Sequence, residues 1–347
     1  MTTEKLTGYD RLRSYQWNYD HVPTPVDIDV AEVPGAWQFC GLPINSPLGM
    51  PAGPLLNGNW CLYYASLGFD VLTYKTVRSS QRACYPLPNL QPVECGQLHG
   101  GESNLPAVDA MGGSWAVSFG MPSKSPDVWR ADVEYTRNSL PSGKLLSVSV
   151  VGTIQEGWTI EDLAADYARC AKWAVQSGAD CIESNFSCPN VSTCDGQLYQ
   201  QPSDAAIVAA CVRESIGSVP YIAKIGRITA EKEAAALLTA IGGTVDALAM
   251  TNSIPATVRD TDGQLLFDAQ RRGICGGGTR AASVSQTQMV NRLVAERGLK
   301  LELIGVGGAS MAAHINAYLE AGAHAVHIAT AAMVNPAVAI NIRRELA

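Results

Sequence analysis

Lys224 sits inside the apolar run Tyr221-Ile222-Ala223-Lys224-Ile225-Gly226, where an ammonium group is costly unless an anion meets it. That placement points to a bound charged group. Lys75, at the end of a second apolar run closing Thr73-Tyr74-Lys75-Thr76, reads by itself equally well as a solvated charge at a strand end. In Asn185-Phe186-Ser187-Cys188-Pro189-Asn190 a thiol is flanked by two carboxamides. The thiol can move a proton, and the carboxamides can hydrogen-bond both sides of a planar amide or imide ring. An ordinary thiol pKa of about 8.5 needs only modest lowering for Cys188 to act as a base near neutral pH. Asn252-Ser253 offers further polar groups. Gly305-Val306-Gly307-Gly308 and Ala329-Thr330-Ala331 present backbone N–H groups that an anion can approach closely, although Gly307 and Gly308 would also suit a plain tight turn.

Such groups must be carried on a scaffold, and the chain supplies a regular one. Apolar runs at 46–53, 69–76, 145–151, 181–187, 221–226, 246–252, 303–308 and 325–330 alternate with helical stretches. Runs this apolar suit parallel strands buried on both faces. Between the third and fourth, Thr159 and Asp162 form a capping pair and Leu163, Tyr167, Cys170, Ala171 and Ala174 a helical stripe, with Gly178 as the stop. Eight strands alternating with helices predict an α/β fold, a (β/α)8 TIM barrel, in which the chemistry-bearing residues fall at strand ends. The expected organisation is a single domain over 1–347, with an N-terminal extension (1–44) and a long insertion after strand 2 (77–144) near the active-site mouth. Glycines and the Ala329-Thr330 pair after strands seven and eight lie where such barrels commonly hold a phosphate.

Composition narrows the classes. Twenty-five Lys and Arg against 32 Asp and Glu give a net charge of -7, without the basic excess of a nucleic-acid binder. The polar start MTTEKLTGYDRLRSYQWNYD lacks an apolar signal core, and no run of about 18 apolar residues follows, so a soluble cytoplasmic protein with no membrane partner is expected. The ten cysteines contain no C-x-x-C pair and the five histidines no H-x-x-x-H pair, so neither a metal nor an in-chain iron–sulfur cluster is expected. Cys170, Cys181 and Cys211 read as small buried hydrophobes, and His324 and His327 as packing residues.

At these residues the chain resembles the flavin-dependent dihydroorotate dehydrogenase family, most closely its class 1 cytosolic branch. The resemblance covers residues 45–335 in order. It comprises the Ala52-Gly53 turn, T-x-K-T at 73–76, S-x-G-x-P at 118–122, N-x-S-C-P-N at 185–190, Lys224, Asn252-Ser253, the glycines at 276–278, G-x-G-G at 305–308 and Thr330. It implies FMN in the barrel, with Cys188 removing the ring C5 proton while hydride passes from C6 to flavin N5. Lys224 would stabilise the anionic reduced flavin at N1 and O2, and Lys75 would bridge flavin and substrate. Ala52, Gly53, Asn185, Ser253, Gly277, Gly278, Gly307, Gly308, Ala329 and Thr330 would complete the flavin site. Asn185, Asn190, Asn252, Ser253, Phe119, Gly120 and Met121 would surround a pyrimidine-like substrate.

Val117 departs from the family, which has an asparagine there to help hold the orotate carboxylate; losing that donor costs roughly 1 to 3 kcal/mol. Ala329 replaces a usual glycine, tolerably for a backbone contact. The leading expectation is oxidation of dihydroorotate, or of the C5–C6 bond of a related ring. Its alternatives are a reductase of such a ring or of an unsaturated lactam, a tRNA dihydrouridine synthase, and an inactive flavin-binding barrel. Acidity and the form of the N-x-S-C-P-N motif stand against the tRNA enzyme. The resemblance further implies a homodimer and leaves open a separate electron-transfer subunit.

Overall fold

Strands buried on both faces have to find strand neighbours on each side and helices above and below, and the eight apolar runs do so. The structure is a computed structural model that describes residues 6–187 and 197–347. Strands β1 (Leu48–Met50), β2 (Val71–Val77), β3 (Leu145–Val150), β4 (Cys181–Asn185), β5 (Tyr221–Lys224), β6 (Ala247–Met250), β7 (Glu302–Val306) and β8 (Ala325–His327) pair in parallel and close into a barrel, with Val326 opposite Leu48 at the seam. Every residue in them except Glu302 is buried. The expected (β/α)8 barrel is the observed one.

Helices α1 (Gly58–Ser66), α2 (Pro126–Ser139), α3 (Ile160–Gln176), α4 (Pro202–Ile216), α5 (Glu231–Ile241), α6 (Arg280–Glu296), α7 (Ala312–Glu320) and α8 (Val338–Leu346) follow the strands in turn. In α3 the capping box of Thr159 and Asp162 is formed, the expected stripe is buried, and Gly178 takes φ +95° just past the C-cap. Cys211 corrects its expectation: it is only half-buried, because it lies on the shoulder of the α4 stripe made by Ala205, Val208, Ala209, Val212 and Ile216.

The strand registers stack inward side chains in layers drawn from alternate strands. Val71, Cys181, Ala247 and Ala325 form an apolar layer, closed from below by Phe39 and Ile44 of the hairpin Trp37–Phe39/Leu42–Ile44. Above it come Gly49, Ser147, Ile222 and Ile304, then Thr73, Glu183, Ala249 and His327, then Ser149, Lys224 and Val306. Polarity rises toward the C-terminal mouth.

Over that mouth lies an antiparallel sheet ordered Ile254–Ala256, Arg272–Gly276, Ser114–Val117, Leu90–Pro92. Two excursions build it together, one after β2 and one after β6, the second not anticipated. Within 77–144, Pro126–Ser139 is itself the barrel helix α2, so the excursion ends before it.

The barrel's other end is tied by a buried ion cluster. Arg343 of α8 donates to Asp70 Oδ2 (3.0 Å), Ser46 Oγ (2.8 Å) and the carbonyls of Gly68 (3.1 Å) and Ala31 (2.8 Å), while Lys144 meets Asp70 Oδ1 at 2.6 Å. Breaking a buried pair from one side typically costs about 3 to 5 kcal/mol. Because Asp70 keeps Lys144, Arg343→Met should lose the lower figure, roughly 3 kcal/mol, read as a reduced urea midpoint at unchanged slope. A midpoint equal to wild type would show that α8 is held by its apolar face alone.

Candidate functional site

After β1 the chain turns through Ala52 and Gly53, and both buried lysines reach that turn. Lys75 Nζ donates to the Gly53 carbonyl at 3.1 Å and Lys224 Nζ to the Ala52 carbonyl at 3.4 Å. An ammonium has three donors, so each retains hydrogen-bonding capacity. Lys75 Nζ also lies 4.2 Å from the Phe119 ring centroid and 5.3 Å from that of Tyr15, a cation–π arrangement that partly replaces lost water. Burial pushes the Lys75 pKa down to about 8, with Cys84 opposing the shift and Lys224 adding to it. Lys224 faces Glu183 Oε1 at 4.0 Å.

The wall beside them comes from β4 and the excursions. Asn185 is the register partner of Lys224; its Nδ2 approaches Met121 Sδ at 3.4 Å and its Oδ1 accepts from Ser187 N and Oγ. Cys188 and Asn190 lie outside the described residues. Val117 pairs with Gly273 and Leu90 in the covering sheet. Just after it, Gly120 (φ +71°) and Met121 (φ +49°) turn the backbone, and the N–H groups of Phe119, Gly120 and Met121 make no hydrogen bond among the described residues. Successive free N–H groups in such a turn form a concavity suited to an anion. Asn252 is fixed by its N–H to Ile225 (3.1 Å) and accepts at its carbonyl from Cys275 Sγ (3.6 Å). Ser253 packs against Gly273, where any Cβ would collide with its hydroxyl.

A second free set lies at the ends of β7 and β8. The N–H groups of Gly307, Gly308, Ala329 and Thr330 have no partner among the described residues. Gly308 takes φ +67°, and a Cβ on it would stand 2.6 Å from the Gly276 carbonyl, so the two glycine runs touch. Gly277 and Gly278 differ from expectation as donors: their N–H groups are already given to Gly113 O (2.8 Å) and Ser114 Oγ (2.9 Å). A Cβ on Gly278 would stand 2.8 Å from Cys95 Sγ and 2.9 Å from the Gly96 carbonyl, so that glycine allows close backbone packing rather than offering a hydrogen bond.

Several residues here escaped sequence reasoning. Glu183 carries the same signal as Lys224, a charge in a strand buried on both faces. Tyr9 and Tyr15, from the N-terminal extension, pack edge-on against Phe119 with centroids 6.0 and 6.3 Å away, and no local pattern marks them. Cys275 is half-buried, its pKa pushed up to about 11 by desolvation against a lowering by Lys224. His327 is buried and stacks on Phe39, in keeping with a packing residue, and neither of its ring nitrogens is hydrogen-bonded.

The family model described as Dihydroorotate dehydrogenase matches residues 36–347. The chain belongs to the dihydroorotate dehydrogenase family. A dihydroorotate dehydrogenase of Dictyostelium discoideum is 29% identical over 96% of this chain and 95% of its own length. The catalytic subunit of a dihydroorotate dehydrogenase B (NAD(+)) of Desulforudis audaxviator is 28% identical over 91% and 92% respectively. The solved structure of an Eimeria tenella dihydroorotate dehydrogenase in complex with ferulenol shares the fold, with a TM-score of 0.69 at 18% identity over 90% of this chain and 83% of that one. This family places the chain among flavin-dependent oxidoreductases acting on a CH–CH bond.

In this dihydroorotate dehydrogenase family member, Lys75 is held at a cost that pH should reveal. Its folded pKa of about 8 lies below the ordinary 10.5, so between these values the unfolded chain binds more protons and stability rises with pH. Below pH 8 the full penalty stands. Lys75→Met should therefore stabilise the ligand-free protein at pH 7 by on the order of 3 kcal/mol, and the advantage should shrink toward zero as pH climbs to 10.5. Urea denaturation at pH 7 and pH 10 checks both the sign and the trend.

Proposed function

We propose that the chain binds FMN across the barrel mouth and oxidises dihydroorotate to orotate. The observation that carries this reading is the pairing of two buried lysines bearing unused donors with two separate sets of unpartnered backbone N–H groups. One set, at 307–308 and 329–330, fits the flavin phosphate. Gly53 leaves open space where a Cβ would stand, and a Cβ on Gly277 would meet only the Gly113 carbonyl at 3.8 Å, so the residues present fit the cofactor. Lys224 would face flavin N1 and O2, with Asn185, Ser253, Ala52 and Gly53 around the ring.

The other set, at 119–121, suits the substrate carboxylate and makes up for Val117. Three backbone donors and the Lys75 charge remain where the family's asparagine amide is missing. An anionic ring is therefore favoured over one lacking the carboxylate. Asn190, Asn252 and Ser253 would hold the pyrimidine edges. Cys188 would take the C5 proton as a thiolate, while bound FMN supplies the acceptor for the C6 hydride. Lys224 holds positive charge where negative charge develops, the arrangement that lowers a barrier most in a water-poor site.

The whole chain is read as one catalytic domain, with 1–44 and the excursion after β2 shaping the mouth. Among the described residues no helix is long and apolar enough to cross a membrane. We place the protein in the cytoplasm as a homodimer. Reoxidation by NAD through a separate electron-transfer subunit accords with the name of the Desulforudis relative, and a soluble acceptor is the alternative.

Anaerobic mixing of the FMN-loaded protein with dihydroorotate should bleach the flavin. Cys188→Ala should slow that bleaching by about 10² to 10⁴. Flavin that stays oxidised in the wild type would reject dihydroorotate, and an unchanged rate in the variant would remove Cys188 as the base.

A further inference from the structure

Among the four inward layers described above, Glu183 is the one acid. Its side chain is 1% exposed, its Oε1 has no hydrogen bond, and its cationic neighbour is Lys224 Nζ at 4.0 Å in the layer above. A buried carboxylate is costly unless a counter-charge answers it. The other polar members of its layer do not supply one. Thr73 contributes a neutral hydroxyl without a partner. His327 is neutral near pH 7, since burial first and the Lys224 charge second push its pKa down to about 3. Conversely, Lys224 makes one hydrogen bond, to Ala52, and has no other carboxylate among its ion-pair partners in the described residues. Acid and ammonium are thus each other's only charge partner there, stacked along the barrel axis with the lysine toward the mouth.

We propose that Glu183 is a positioning residue that acts through Lys224. From beneath it anchors the ammonium and offsets part of its charge, and so sets how strongly flavin bound at the mouth attracts electrons. This rests on the FMN reading above and adds a residue to it. Without the carboxylate, the full positive charge acts on the flavin and favours its anionic reduced form.

The test is the midpoint potential of bound FMN at pH 7, measured in wild type, Glu183→Gln, Lys224→Met and the double variant. The single Gln variant should shift the potential positive. In the Lys224→Met background the same substitution should leave only a clearly smaller shift, the carboxylate's own direct field, because there is no longer an ammonium for it to position. Should Glu183→Gln fail to fold, Glu183→Asp, with its charge drawn back by one methylene, should give a smaller shift of the same sign. An unchanged or negative potential in the single variant, or an equal shift in both backgrounds, would overturn the proposal. Wild-type protein that takes up no FMN would overturn the flavin reading itself, and shows separately as a missing visible flavin band.

Discussion

Keeping two ammonium groups out of water is the constraint around which this barrel mouth is arranged. Lys75 and Lys224 are each less than a tenth exposed, and their charges oppose one another. What surrounds them compensates only in part: two consecutive carbonyls at Ala52 and Gly53, the faces of Phe119 and Tyr15, and one carboxylate at 4.0 Å. An interior built for stability alone would complete these bonds or replace the lysines with apolar groups. Donors left unused in a desolvated cleft are available to a ligand, which is the basis of the proposed flavin site.

The rest of the architecture serves to hold those donors still. The lower barrel is packed with Val71, Cys181, Ala247, Ala325 and the plugging Phe39, which gives the polar layers above a rigid floor. At the top, excursions from β2 and β6 meet in a small sheet that fixes Val117 and the 118–122 turn on one side and Ser253 on the other. Close approaches at Gly273 and Gly308 bring these walls together. The N-terminal extension completes the enclosure by laying Tyr15 and Tyr9 against Phe119. On the proposed reading, specificity for an anionic planar ring would follow from fixed backbone N–H groups, which need no side-chain rearrangement to meet a carboxylate.

How much of this the sequence discloses depends on the range of the interactions. The eight strands were legible because a strand covered on both faces must be apolar throughout, and α3 because its capping box and stripe are local. Lys224 stood out against such a strand. Glu183 is equally visible by that logic, yet its meaning emerges only when β4 and β5 pair and bring it beneath the lysine. The covering sheet was not legible: its strands are three to five residues long and come from distant excursions. The turn at 119–121 depends on a positive φ at Met121, a residue type that does not advertise one. Likewise, only the structure shows that Gly277 and Gly278 have spent their N–H groups on Gly113 and Ser114, while Ala329 and Thr330 have not.

The central claim is that Lys224 keeps its unused donors for the flavin ring. An experimentally determined structure of the FMN-loaded protein measures this directly, as the distance from Lys224 Nζ to the nearest ring heteroatom. The account expects that distance to fall within hydrogen-bond reach, about 2.7 to 3.2 Å, with the phosphate against the N–H groups of 307–308 and 329–330. A flavin bound elsewhere, or one whose ring stays beyond reach of Lys224, would contradict it.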